Sequence, residues 1–440
     1  MVVCLLATAA RAGATPQTSP SEFSGEWELT TMVFGQPLSE RLTLKVDKGK
    51  ITGTISGRST PVSVKVDGNH VQFEYKDADG TNNVYEGRLQ DGKLSGTMKV
   101  SNEPWGQTPP LEWSARRPAT DKPAAPRTLD FEPKEFHRVF SSSIEPVLHI
   151  WPGDTVRTRT VDAGGVDENG KSRVLGGNPQ TGPFYVEGAM PADTLAIHVR
   201  KLRLNRPSAI SDDGLVGRAL TTDYASEHKD NNFNNVVWTL DLEKGVARLA
   251  KPTAHLKDVA VPVKPMLGCV GVAPGFGGAA RGTGDSGRFG GNMDFNEIRE
   301  GATVYLPVSQ PGALLYVGDG HALQGDGELN GNALETSLDV EFSVDLLREK
   351  AISGPRVEND EYLMAMGLGG SLDDAFREAT SGLASWLEKE YGLTGAEAAM
   401  LLGTTVEYKI SEVADRNAGI VAKIHKKYLP PPASPAPPKK

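Results

Sequence analysis

The chain has 440 residues, 38% hydrophobic and 23% charged, which is long enough for two domains, and its net charge of -9 makes it mildly acidic. No basic stripe and no interleaving of aromatic with basic residues is present, which excludes a nucleic-acid-binding class. The 49 glycines and 30 prolines predict a turn-rich, mainly β architecture, and the two cysteines, Cys4 and Cys269, cannot build a disulfide framework.

Residues 2–14 are apolar and then small, like the core and cleavage region of a secretory signal without its basic start. This predicts export, to the periplasm or the medium, with a cytoplasmic protein as the alternative. No later segment is apolar for long enough to span a bilayer.

Residues 23–117 alternate apolar and polar side chains with a period of two, as in Leu42–Val46, Val71–Tyr75 and Leu111–Ala115, and Asp-Gly turns at 67–68, 79–80 and 91–92 separate the runs. The expectation is a small antiparallel β-barrel or sandwich. Residues 118–128 read as a Pro/Ala linker. From about Leu129 strands resume, among them 155–161, 184–188 and 193–199. The polar stretch 203–235 is expected to form a flap. Two helices are expected late in the chain. One covers Ser371–Tyr391, with Leu372, Ala375, Phe376, Ala379, Leu383, Trp386 and Leu387 on its apolar face, and the other opens on a capping box at Thr394–Glu397. The proline-rich residues 429–440 are expected to be disordered.

The densest chemistry lies in Gly318-Asp319-Gly320-His321-Ala322-Leu323-Gln324-Gly325-Asp326-Gly327-Glu328, directly after the apolar run 312–317. Glycine lets the backbone turn tightly at the end of a buried strand. Carboxylates crowded there repel one another unless a cation or a shared proton sits among them. His321 offers a nitrogen, and Asp319, Asp326 and Glu328 offer oxygens, a mixture that suits zinc better than calcium, which prefers oxygen alone. The acidic glycine-rich run Gly290-Gly291-Asn292-Met293-Asp294 lies one strand earlier. A glycine-rich hairpin with a solvated acidic tip is the competing reading of the first run.

The strings 181–189, 265–274, 290–294, 301–308 and 312–328 resemble the acetamidase/formamidase family and follow its order, over roughly residues 137–428. The resemblance does not extend to the N-terminal barrel. It implies a β-rich hydrolase domain with a small α/β portion, release of ammonia from short amides such as formamide and acetamide, divalent metal sites and a homodimer. On this basis Asp162, Asp294, Asp319 and His321 are expected to bind the metal, with Glu328 as general base and Asn292 and Gln324 holding the substrate amide or its oxyanion. Glu335 is expected to face either the site or solvent. The barrel is expected to dock a partner, a neighbouring subunit or a cell-surface polymer. The rival class is a non-catalytic protein that keeps the fold and binds a metal or ligand.

Other constellations carry less. Gly284-Asp285-Ser286-Gly287 copies a serine-protease nucleophile segment without a suitably spaced histidine. Cys269 sits among Leu267, Val270 and Val272, as a buried strand cysteine does. His149 and His198 alternate with apolar neighbours, as structural histidines do.

Overall fold

The structure, a computed structural model, describes residues 19–433 apart from 49, 57–61, 78, 102–106, 230 and 276–277. The export signal read over residues 2–14 lies outside the described residues. Two compact units divide between Pro118 and Ala119.

The first unit is a closed eight-stranded antiparallel barrel running from Gly25–Val33 to Leu111–Arg116, and these two strands pair to close it, with Leu29 opposite Ala115. The period-two pattern sets which side chains enter: Lys50–Ile55 and Leu111–Arg116 alternate buried and exposed without interruption. Trp27, Phe73, Tyr85 and Trp113 fill the interior, and Phe73 stacks on Tyr85 at 4.5 Å between centroids. Eight strands leave room for little more than such a filling. Gly96 permits the close approach of two strands, because a Cβ there would lie 1.9 Å from the Glu86 carbonyl oxygen.

The second unit is built on two large sheets. Among the described residues, one has nine strands and carries the two late helices, and the other has eleven. The nine-stranded sheet centres on Thr194–Leu204 and Leu338–Leu347, which pair antiparallel. The eleven-stranded sheet places Leu315–His321 between Met266–Val272 and Glu335–Thr336. Both central strands of this second sheet are buried at every residue, so they read as apolar and glycine runs without alternation, interrupted by Asp319 and His321.

Helix Leu372–Tyr391 starts at its N-cap Ser371 and stops at Gly392 in the left-handed conformation. Its apolar face differs from expectation at Phe376, which is 47% exposed and packs against Tyr408. Helix Gly395–Thr405 carries the expected capping box. The stretch expected to be a flap is tied down instead. It holds strand Ser208–Asp212 and the short helix Thr222–Glu227, and Asn231 bonds both the amide and the carbonyl of Leu215. At the end of the expected linker, Arg127 is fixed by a 2.6 Å ion pair to Asp154. In the proline-rich tail, Ala433 donates its amide to the carbonyl of Glu390.

Candidate metal centre

Two adjacent strands of the eleven-stranded sheet make the site. Leu315–His321 delivers Asp319 and His321, and Gly268 on Met266–Val272 sits opposite Asp319 in the ladder. A Cβ on Gly268 would lie 2.4 Å from Asp294 Oδ1, 2.5 Å from Asp319 Oδ2 and 3.0 Å from the His321 ring. The missing side chain is therefore what leaves space between these groups. Strand Gly290–Asn292 feeds Asp294 in from the far side, and Glu335 lies opposite His321 in the next pairing.

Four polar residues here hold left-handed backbone: Asn178 at φ +53°, Asp294 at +41°, Asp319 at +58° and Glu328 at +48°. Each such conformation costs on the order of 1–3 kcal/mol and persists where the surroundings impose it, commonly at functional sites.

The side chains converge. His321 Nε2 lies 3.1 Å from Glu335 Oε1, 3.4 Å from Asp319 Oδ1 and 4.0 Å from Asp294 Oδ1. Asp294, His321 and Glu328 form one group whose ligand atoms all lie within 4.8 Å of one another, and Asp319, His321 and Glu335 form a second. All five residues are buried. Among the described residues no lysine or arginine pairs with the four carboxylates. Asp294 Oδ1, Asp319 Oδ1, Glu335 Oε2 and His321 Nε2 are buried without a hydrogen-bond partner. Orphaned acceptors of this kind cost free energy unless a cation or protons satisfy them. One imidazole nitrogen among hard oxygens is a donor set that fits a divalent cation.

Electrostatics agrees with the crowding. Burial pushes the Asp294 carboxyl well up, and the Glu328 and Asp319 charges add to it. Burial likewise raises Glu328, and it lifts Glu335 to about 7 against the opposing pull of His321. Burial alone would lower the His321 imidazole, but Glu335 and Asp319 outweigh it and hold the ring well above its usual value.

A hydrogen-bonded shell fixes the cluster. Asn292 Nδ2 donates to Asp294 Oδ2 at 2.6 Å and to Asp415 Oδ2 at 2.5 Å, and its Oδ1 accepts from Asn178 Nδ2 at 2.7 Å. Asn178 also donates to Asp319 Oδ2 at 3.3 Å. Gln324 accepts from His321 and donates to the Asp294 and Ser411 carbonyls.

The acetamidase/formamidase family model matches residues 277–425. The C-terminal region of this chain belongs to the acetamidase/formamidase family. Its region is 33% identical over 141 residues to the acetamidase of Mycolicibacterium smegmatis, covering 26% of this chain and 34% of that one. The chain spans no more than 36% of the length of the curated relatives it matches. Solved structures extend the likeness. A predicted acetamidase/formamidase from Thermoanaerobacter tengcongensis matches with a TM-score of 0.59 at 27% identity, covering 69% of this chain and 97% of that one. The acetamidase from Yersinia enterocolitica matches with a TM-score of 0.59 at 28% identity, covering 69% and 94%.

Within the acetamidase/formamidase region and the strands before it, the expected site residues divide. Asp294, Asp319, His321 and Glu328 come together, and Glu335 joins them. Asp162 does not. Its Oδ1 accepts from the Val166 amide and its Oδ2 takes a buried 2.6 Å ion pair from Arg206, so both oxygens are already committed. Asp326 also falls away, half-exposed and bonded to Asn296 and Lys409. Asn292 and Gln324, expected to hold the substrate amide or its oxyanion, bond the cluster's own Asp294 carboxylate and His321 ring. Asn178 and Asp415 are the residues sequence reasoning missed, since nothing local marks either one. Cys269 is fully buried, and burial pushes its thiol well up, which suits a structural residue. His149 pairs with Glu187, and His198 bonds Thr303 and Asp345.

Proposed function

We propose that the C-terminal unit is a metal-dependent amidohydrolase that cleaves the C–N bond of short-chain aliphatic amides, giving a carboxylate and ammonia. The observation that carries this reading is the convergence of orphaned carboxylate oxygens on His321 Nε2 inside a region of this family. Asp319, His321 and Glu335 would hold the cation together with Asp294, and the nitrogen in this set favours zinc over calcium. When bound, a divalent cation supplies Lewis-acid polarisation of a carbonyl and acidification of water.

The chain's own residues supply the rest. Hydrolysis forms a C–O bond from water, breaks the C–N bond and puts a proton on the departing nitrogen. We assign that proton to Glu328. Its Oε1 accepts the Ala333 amide at 3.0 Å, which fixes the carboxylate and leaves the second oxygen to take a proton from water and deliver it to nitrogen. Gln324 orients His321, and Asn292 with Asn178 holds Asp294 and Asp319 in place.

Metal analysis of the purified protein beside ammonia release from formamide, acetamide and propionamide tests the proposal. Turnover that disappears in a folded His321→Ala variant is the expected result. A stoichiometric metal without turnover of any amide would overturn it in favour of a binding protein. Export and a homodimer are part of the same proposal, readable from the cell fraction and from the solution mass.

A further inference from the structure

Beside the cluster lies a cavity of about 280 Å³. Trp238, Val261, Leu323, Leu329 and Leu334 form its apolar wall, Gln324 and Glu328 line its buried end, and Ser211, Asp326 and Asn330 add polar groups to the lining. Gln324 and Glu328 are each 6% exposed, whereas Leu329 is 46% exposed and the Asp326 side chain is half-exposed, so the cavity runs from an open mouth past an apolar wall to a nearly closed polar end. The apolar walls are part of a packed core. Leu334 belongs to a buried group with Ala209, Leu240 and Ala322, against which Trp238, Val261 and Leu323 pack. Trp238 is fixed in direction, because its Nε1 donates to Ser211 Oγ at 2.9 Å.

Glu328 joins the polar end to the buried cluster. Asp294 and His321 are 0% exposed and line no wall of the cavity, while Glu328 belongs both to the cavity and to a candidate ligand group. An apolar wall leading to a buried end of one carboxylate and one carboxamide suits a molecule with a hydrophobic body and a polar head. A formyl or acetyl group would leave most of this volume without contacts.

We propose that this cavity is the acyl pocket and that the substrates it favours are primary amides with a branched or aromatic acyl group larger than acetyl. The inference rests on the amidase reading above for its polar end and goes beyond it in substrate class. Trp238 and Val261 come from strands Asn235–Asp241 and Val261–Pro262, outside the stretch 277–425 that the family model matches. Part of the apolar wall thus comes from outside that stretch, while Leu323, Leu329, Leu334 and the polar end come from inside it.

The test uses the full-length, metal-loaded protein with acetamide, 3-methylbutanamide and phenylacetamide. Ammonia release is followed alongside the intrinsic fluorescence change on adding each amide. One methylene in an apolar pocket is worth about 10-fold or more in kcat/KM. The two larger amides are therefore expected to exceed acetamide at least tenfold, and Val261→Trp, which narrows the cavity from its half-buried wall, is expected to cut that ratio at least tenfold. A saturable fluorescence change with 3-methylbutanamide that vanishes in Trp238→Phe places the acyl group beside the indole. Turnover that is equal or faster on acetamide overturns the pocket and leaves the amidase reading standing. Binding at Trp238 without turnover of any amide supports the pocket and overturns the amidase reading. Neither binding nor turnover overturns both.

Discussion

Gln324 Oε1 lies 2.9 Å from His321 Nδ1, while the same carboxamide donates its Nε2 to the Asp294 carbonyl at 2.6 Å and the Ser411 carbonyl at 3.1 Å. Two carbonyls facing the nitrogen fix which way the amide points. The oxygen must then accept, so His321 carries a proton on Nδ1 and aims Nε2 at the carboxylates. Partners behind a ligating histidine typically account for 10–100-fold in metal affinity. Gln324→Leu is expected to weaken divalent-metal binding by about that factor with the fold retained, measured by competition with a chromophoric chelator. Unchanged affinity would sink this account of the tautomer.

Gly268→Ala should act more sharply. The added methyl has no room between Asp294 and Asp319, and Gly268 is free of any left-handed requirement that would confuse the result. Loss of stoichiometric metal, with little change in far-ultraviolet circular dichroism, is the expected outcome. An alanine variant that still binds one equivalent at wild-type affinity would show that the space is not used.

Lys423 and Glu297 form a buried ion pair at 2.5 Å, and Glu297 sits three residues after Asp294 on the same loop. Removing one partner leaves the other charge buried, a loss of roughly 3–5 kcal/mol. Lys423→Met should therefore lower stability by about that amount in urea unfolding, softened where Lys409 takes over Glu297 at 3.3 Å. The double variant Lys423→Met, Glu297→Leu should recover most of the loss. If the double variant is as unstable as the single one, the pair contributes through packing alone.

Glu412 predicts a slope in stability against pH. Burial raises its carboxyl from 4.5 to about 8, with the Arg218 charge pulling weakly the other way. The folded form then holds a proton that the unfolded chain releases, so between pH 4.5 and 8 the native state binds more protons. Stability falls as pH rises through that window, by an amount on the order of a few kcal/mol, and the penalty is absent below it. Glu412→Gln removes the penalty and keeps an oxygen for the Asp415 amide that Glu412 Oε2 accepts at 3.1 Å. The difference in urea midpoint between variant and wild type should grow from pH 5 to pH 8, and a constant difference would contradict the buried-acid reading.

Much of this could be read from the chain alone, for physical reasons. Strict alternation with Asp-Gly turns announces a barrel because local sterics and burial point the same way in every strand. Glycines at 318 and 320 announce a strand end that can hold Asp319 and His321. The partners of the site could not be read, because they arrive from far away in sequence. Asn178 and Asp415 lie 141 and 123 residues from the groups they bond, Asp319 and Asn292. Asp162 looked available only because Arg206, 44 residues on, was invisible as its partner. The left-handed backbone at Glu328 was equally hidden, since it runs against that residue's own preference and is imposed by the surrounding fold.

The two candidate groups share His321, and Gln324 already occupies its other ring nitrogen. An imidazole has one lone pair left to give, and a lone pair cannot serve two ions at once. One ion on Nε2 would therefore draw on Asp294, Asp319 and Glu335 together, and Glu328, which also lines the cavity, would be left to carry the proton.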